Sequence, residues 1–171
     1  RDGVYGSARA HAEARDLGLR AIVGAEVTLE DGAVLPLLVR NRSGYQNLCR
    51  MLTTAKLRAA KNESRVTWAE LATYADGLFC LTGDEEGPIR RALASGDKAA
   101  AERHARDLRQ IFGDGRMAVE LQRHRVRGES WQNRALVDLA DHLRLPIIAS
   151  NGTCHAERSG RELLDAFTCL R

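Results

Sequence analysis

Glu120-Leu121-Gln122-Arg123-His124 closes an apolar run and delivers a histidine at its end. A run this short and apolar suits a strand buried on both faces, and the residue after it reaches the mouth of an α/β barrel. Two other runs have the same form. Leu145-Pro146-Ile147-Ile148-Ala149-Ser150-Asn151 leads into Gly152-Thr153-Cys154-His155, and Ala21-Ile22-Val23-Gly24-Ala25-Glu26 ends on a carboxylate. Three apolar strands that each finish on a metal-competent side chain predict a site at the C-terminal ends of parallel strands.

The pattern between these runs alternates. Ser7 is placed to cap a helix running to about residue 17, with Gly18 as its stop. Residues 20–29 read as a strand, Asp31-Gly32 as a hairpin turn and 33–39 as the partner strand. Ser43 is placed to cap a helix through Tyr45, Leu48, Cys49 and Leu52, followed by a polar loop over 58–65. Thr67 and Glu70 have capping-box spacing. A strand over 78–82 precedes a helix opened by Gly87-Pro88, and Asp97 caps a longer helix with Ala100, His104, Leu108 and Ile111 on one face. A strand over 117–122 follows, then a helix over 128–143 with Trp131, Ala135, Leu139 and Leu143 at helical spacing. A strand over 146–150 and a helix over 159–169 complete the chain. Helices alternating with strands predict an α/β protein with a mainly parallel sheet.

Composition narrows the class. The 171 residues suit about one domain, here spanning 1–171, and are 44% hydrophobic and 29% charged, as in a globular protein. Net charge is +3, mildly basic. No apolar run reaches the roughly 18 residues that cross a bilayer, and with no export signal the expected location is the cytoplasm. The four cysteines form no CxxC pair; Cys49 and Cys80 lie in apolar runs and read as core thiols. The sequence contains neither GxGxxG nor GxxxxGK[ST] nor GxSxG, which argues against nucleotide-binding loops and a nucleophile elbow. Arg1 is not preceded by methionine and Leu170-Arg171 follows directly on a helical pattern, so the chain is expected to be a fragment of a longer protein.

Metal-assisted phosphoester hydrolysis needs carboxylates and imidazoles converging from several strands. Glu26, His124, Cys154 and His155 are the candidates; as neighbours, Cys154 and His155 point apart, so one of them at most is expected to bind. An ordinary strand carboxylate and plain loop side chains are the alternative readings. Arg123, Arg125 and Arg127 could contact nucleic-acid phosphates, or form a solvated basic loop. His11, His104 and His142 fall on helices away from strand ends and read as structural or solvated.

Taken in order and spacing, several segments resemble the polymerase-and-histidinol-phosphatase (PHP) domain of bacterial replicative DNA polymerases, and most closely the error-prone paralogue of the polymerase III alpha subunit. They are Arg1-Asp2-Gly3-Val4-Tyr5-Gly6, Ile22-Val23-Gly24-Ala25-Glu26, Gly44-Tyr45-Gln46-Asn47-Leu48-Cys49, Cys80-Leu81-Thr82-Gly83, Glu120-Leu121-Gln122-Arg123-His124 and Leu163-Leu164-Asp165-Ala166-Phe167-Thr168-Cys169. The resemblance covers essentially the whole chain. It implies a distorted (β/α)7 barrel, here lacking its first strand, and a site of several His, Asp and Glu ligands for zinc or manganese. Glu26 and His124 match that ligand pattern cleanly. A family histidine falls on Arg1, another near Val34, and the final Asp-x-His motif falls on Gly152 and Cys154, with His155 one position late.

These substitutions disfavour a zinc or manganese site and predict a barrel kept as scaffold. The resemblance then implies a parent DNA-directed DNA polymerase, a nucleotidyltransferase acting in translesion synthesis, damage-induced mutagenesis and repair. Its magnesium site would lie downstream, and its partners would be DNA, the remainder of the polymerase chain, the sliding clamp and accessory mutagenesis proteins. Two rival expectations are an active PHP-type phosphoesterase or 3′–5′ exonuclease, lost on Glu26→Ala or His124→Ala, and a non-catalytic DNA- or protein-binding module.

Overall fold

The Asp31-Gly32 turn folds the chain into the hairpin its residues predict. Gly32 adopts φ 79° and the Asp31 carboxylate accepts the Ala33 N–H at 2.8 Å. Strand β1 (Gly24–Thr28) thereby pairs antiparallel with β2 (Val34–Val39), Glu26 opposite Pro36. β2 pairs antiparallel with β3 (Leu78–Leu81), while β3, β4 (Met117–Leu121) and β5 (Ile147–Ala149) run parallel. The computed structural model describes residues 1–170, and these form one five-stranded sheet in the order β1-β2-β3-β4-β5. The expected α/β class holds, but two of the four strand pairings are antiparallel, so the sheet is less parallel than predicted.

Seven helices connect and cover these strands among the described residues: α1 (Ser7–Asp16), α2 (Arg42–Arg58), α3 (Trp68–Tyr74), α4 (Pro88–Ala94), α5 (Lys98–Phe112), α6 (Glu129–Leu143) and α7 (Gly160–Cys169). The Thr67–Glu70 capping box forms with both reciprocal bonds. Asp97 caps α5 by accepting the Ala100 N–H. Two caps were misplaced. Asn41, not Ser43, caps α2, its side-chain oxygen accepting the Gly44 N–H at 2.9 Å. Ser7 is already helical, and Gly6 holds the cap position without a side-chain bond. α2 also runs to Arg58, further than its apolar pattern suggests, because the half-exposed Arg58 pairs with Glu70 across the following turn.

The core lies between the sheet and the helices that pack on it, α2 against β2, α5 against β3 and β4, and α6 against β4. Val27, Leu35, Leu37, Cys80, Met117 and Val119 fill its sheet side, and Leu48, Leu71, Leu108, Phe112 and Leu136 its helix side. The buried faces of two helices differ from expectation. In α5 they are Ala101, Ala105, Leu108 and Phe112, one position round from the predicted stripe. In α6 they are Leu136, Ala140 and Leu143, leaving Trp131 55% exposed. Cys49 is half-buried, not a full core thiol, and Cys80 is fully buried. Gly44 is dictated by proximity: a methyl group there would collide with the Gly77 carbonyl, and Gly77 itself sits at φ 73°.

β5 departs most from its prediction. Its Ile147 and Ile148 are each 41% exposed, and α7 buries no residue, with Leu163, Phe167 and Leu170 open to solvent. A strand this apolar was expected to be covered on both faces. Here β5 is the edge of the sheet and no described element lies beyond it. No helix is long and apolar enough to cross a membrane among the described residues.

Candidate functional site

Two polar clusters stand where the sequence places chemistry. The first lies along the edge of β1. Asp2 donates its backbone N–H to the Glu26 carbonyl and accepts from the Thr28 N–H and hydroxyl, all at 2.8 Å, which lays the first residues beside β1. Arg1 is thereby brought over the Glu26 side chain. Its Nε donates to Glu26 Oε2 at 3.2 Å, and its two terminal nitrogens donate to the two oxygens of Glu86, one of them at 2.9 Å. Glu86 is held in place because its carbonyl accepts the Val34 N–H from β2. A guanidinium thus spans two carboxylates from separate parts of the chain, and its bonds to Glu86 hold it firmly in the charged form.

The second cluster lies at the C-terminal ends of β3, β4 and β5. Glu120 is 4% exposed, and its backbone N–H donates to Thr82 Oγ1 at 2.9 Å. Its Oε1 accepts from Gln122 Nε2 at 3.1 Å and from the Ser150 hydroxyl, while Oε2 has no hydrogen-bond partner among the described residues. Gln122 Oε1 lies 3.0 Å from His124 Nε2, and the Gln122 carbonyl accepts from Asn133 Nδ2 at 2.9 Å. Gly152 packs against the Gln122 amide, where a Cβ would come within 3.2 Å of Oε1. Burial, helped by the Glu120 charge, pushes the neighbouring Cys80 thiol well up.

The loop between β4 and α6 is fastened by Glu129. One carboxylate oxygen accepts the His124 N–H at 2.6 Å and the other the Arg125 N–H at 2.8 Å. These bonds, that of His124 foremost, hold the Glu129 carboxyl below its usual range. Arg125 adopts φ 61° within this turn. The side chains of Arg123, Arg125 and Arg127 are exposed and make no ion pair among the described residues.

The four proposed metal ligands are not gathered. Glu26 is engaged by Arg1, and His124 by Gln122. Cys154 lies exposed in the loop after β5, its thiol donating to the Gly152 carbonyl at 3.1 Å, and His155 Nδ1 lies 2.9 Å from the Glu157 carbonyl. Among the described residues no three His, Cys, Asp or Glu side chains are grouped to hold a metal ion. A structural or catalytic zinc takes at least three protein ligands, so the donors present do not fit one. Of the other histidines, His104 stacks on Trp68 with centroids 5.9 Å apart, His142 lies 3.5 Å from Glu102, and His11 is exposed on α1.

Sequence reasoning missed Glu120, Gln122, Thr82, Ser150, Glu129 and Asn133. One signal was available. Glu120 and Gln122 are two apart in an apolar strand and therefore share a face, an arrangement that in a buried strand calls for polar partners.

Comparison with known proteins agrees with this architecture. The PHP domain model matches residues 2–124. An error-prone DNA polymerase of Symbiobacterium thermophilum is 36% identical over 99% of this chain, covering 17% of that protein. The error-prone DNA polymerase of Pseudomonas syringae pv. tomato is 34% identical over 98% of the chain and 15% of its own length. The DNA polymerase III subunit alpha of Caulobacter vibrioides is 29% identical over 99% of the chain and 16% of its own length. The chain thus spans about a sixth of the length of the curated relatives it matches. With its matched region running from the β1 edge to His124, the chain belongs to the PHP domain family.

Proposed function

We propose that this chain is the PHP-domain portion of an error-prone, translesion DNA polymerase and serves it as a scaffold. The observation that carries the scaffold role is the Arg1 guanidinium lodged between Glu26 and Glu86. A fixed cation there satisfies both carboxylates, and a divalent metal would have to displace it. In the parent, further strands complete the sheet towards a distorted (β/α)7 barrel. The uncovered Ile147, Ile148, Leu163 and Phe167 offer an apolar surface for the rest of the polymerase chain.

Template-directed nucleotidyl transfer, with its magnesium ions, then belongs to the parent outside these residues. Arg123, Arg125 and Arg127, exposed and without ion pairs among the described residues, supply phosphate contacts along the DNA path. Sliding clamp and accessory mutagenesis proteins are partners of the parent, and its place is the cytoplasm. The test uses both chains. The purified 171-residue chain should incorporate no nucleotide on a primed template, while the parent incorporates nucleotides and keeps its insertion rate per folded molecule after Arg1→Ala. Incorporation by the short chain, or abolished chemistry in a folded Arg1→Ala parent, would overturn the assignment.

A further inference from the structure

Gln122 stands between the Glu120 side chain and the His124 ring. The Glu120 carboxylate accepts at Oε1 from the Gln122 amide at 3.1 Å and also from the Ser150 hydroxyl. Gln122 Nε2 is the donor in that bond, so the amide turns its NH2 end to Glu120 and its oxygen away from it. The opposite end, the amide oxygen, therefore faces His124, with Nε2 at 3.0 Å. An amide oxygen cannot donate, so the proton of this bond resides on His124 Nε2.

We propose that Glu120, acting through Gln122, is a positioning residue that holds His124 as the Nε2–H tautomer and leaves Nδ1 as the free acceptor of the loop. The backbone supports the same placement. Glu129 fixes the His124 and Arg125 amides, and Asn133 anchors the Gln122 carbonyl. Gly152 leaves room beside the Gln122 amide, where a larger side chain would press on its oxygen end. The ring is thus fixed from both its side-chain and backbone ends before any ligand arrives. A hydrogen-bonding group that meets its Nδ1 must be the donor, as a hydroxyl or amine is, whereas an anion is met by the arginines on either side of it in the loop. The assignment stands on hydrogen bonds within this chain and does not depend on the parent's activity.

The test is long-range proton–nitrogen NMR on the chain labelled with 15N-histidine, at about pH 8, above the ordinary histidine range. The His124 signals are identified by their loss in His124→Asn. The expected result is a protonated Nε2 whose ring proton exchanges slowly enough to observe. Gln122→Leu should speed that exchange on the order of tenfold, the effect of losing one hydrogen bond. Glu120→Gln, which keeps the shape but frees the amide to turn over, should introduce an Nδ1–H population. A wild-type Nδ1–H tautomer would overturn the proposal. So would an exchange rate and tautomer unchanged in both folded variants.

Discussion

Arg1 Nε lies 3.2 Å from Glu26 Oε2, so the carboxylate at the heart of the predicted metal site is engaged by a side chain of the same protein. The same guanidinium reaches Glu86, tying the β1 edge to the segment before α4. Each pair is partly exposed, and exposed pairs are worth about 0–1 kcal/mol. Arg1→Ala is therefore expected to lower stability by about 1 kcal/mol. For a chain of this size that corresponds to about 2–4 °C in melting temperature. The loss should shrink as salt is raised, because salt screens exposed charges. Calorimetry at low and high ionic strength checks both points.

Glu70 joins Arg58 to the start of α3. The Arg58 bonds, aided by the Thr67 N–H, bring its carboxyl down to about 2. A carboxyl lowered on folding stabilises the folded state at pH values above its unfolded range and loses that contribution as pH falls. The chain should therefore lose stability progressively between about pH 4.5 and pH 2, and Glu70→Gln should flatten that part of the profile. Thr67→Ala, which removes the other half of the box, should cost about 1 kcal/mol. Urea denaturation across the acid range provides the measurement.

Gly44 and Gly77 meet backbone to backbone where α2 starts and β3 begins. Gly44→Ala forces a methyl group into the Gly77 carbonyl, which backbone shifts must absorb. A loss of about 1–3 kcal/mol is expected, as for other overpacked sites. Gly6→Ala, where an added methyl group meets nothing within 4 Å and φ is -90°, should cost far less; paired chemical denaturation curves separate the two.

Phe167 on α7 is 61% exposed and Leu163, one helical turn before it, is 63% exposed. Neither is expected to hold the 171-residue chain together. Phe167→Lys should change its stability by less than about 0.5 kcal/mol and improve its solubility. In the parent polymerase the same change should destabilise, because this face is then covered. Thermal melts of the two proteins, run in parallel, provide the comparison, and equal responses would argue against the proposed covering.

Much of this architecture was legible because turns and caps are local. Asp31-Gly32, Gly87-Pro88 and the Thr67–Glu70 box depend on residues within a few positions of one another, and each behaves as its chemistry dictates. The α2 cap was misassigned between Asn41 and Ser43 because both can cap, and the close Gly44–Gly77 approach that fixes the helix start is long-range. Trp131, Ala135, Leu139 and Leu143 have helical spacing, yet α6 turns Trp131 outward and buries Leu136, Ala140 and Leu143, a choice of face made by packing and not by spacing. The network around Glu120 was overlooked because Thr82, Ser150 and Asn133 converge only through sheet pairing and helix packing. His124 follows the end of β4 as expected of it, whereas Glu26 lies in the middle of β1 and not at a strand end, and the partners of the two, Gln122 and Arg1, follow from tertiary placement.

The most direct test of the scaffold account is the metal content of the purified chain after dialysis against zinc and, separately, manganese. The account predicts substoichiometric metal that is unaffected by Glu26→Ala and His124→Ala. Stoichiometric metal lost on both substitutions, accompanied by phosphodiester hydrolysis, would contradict it.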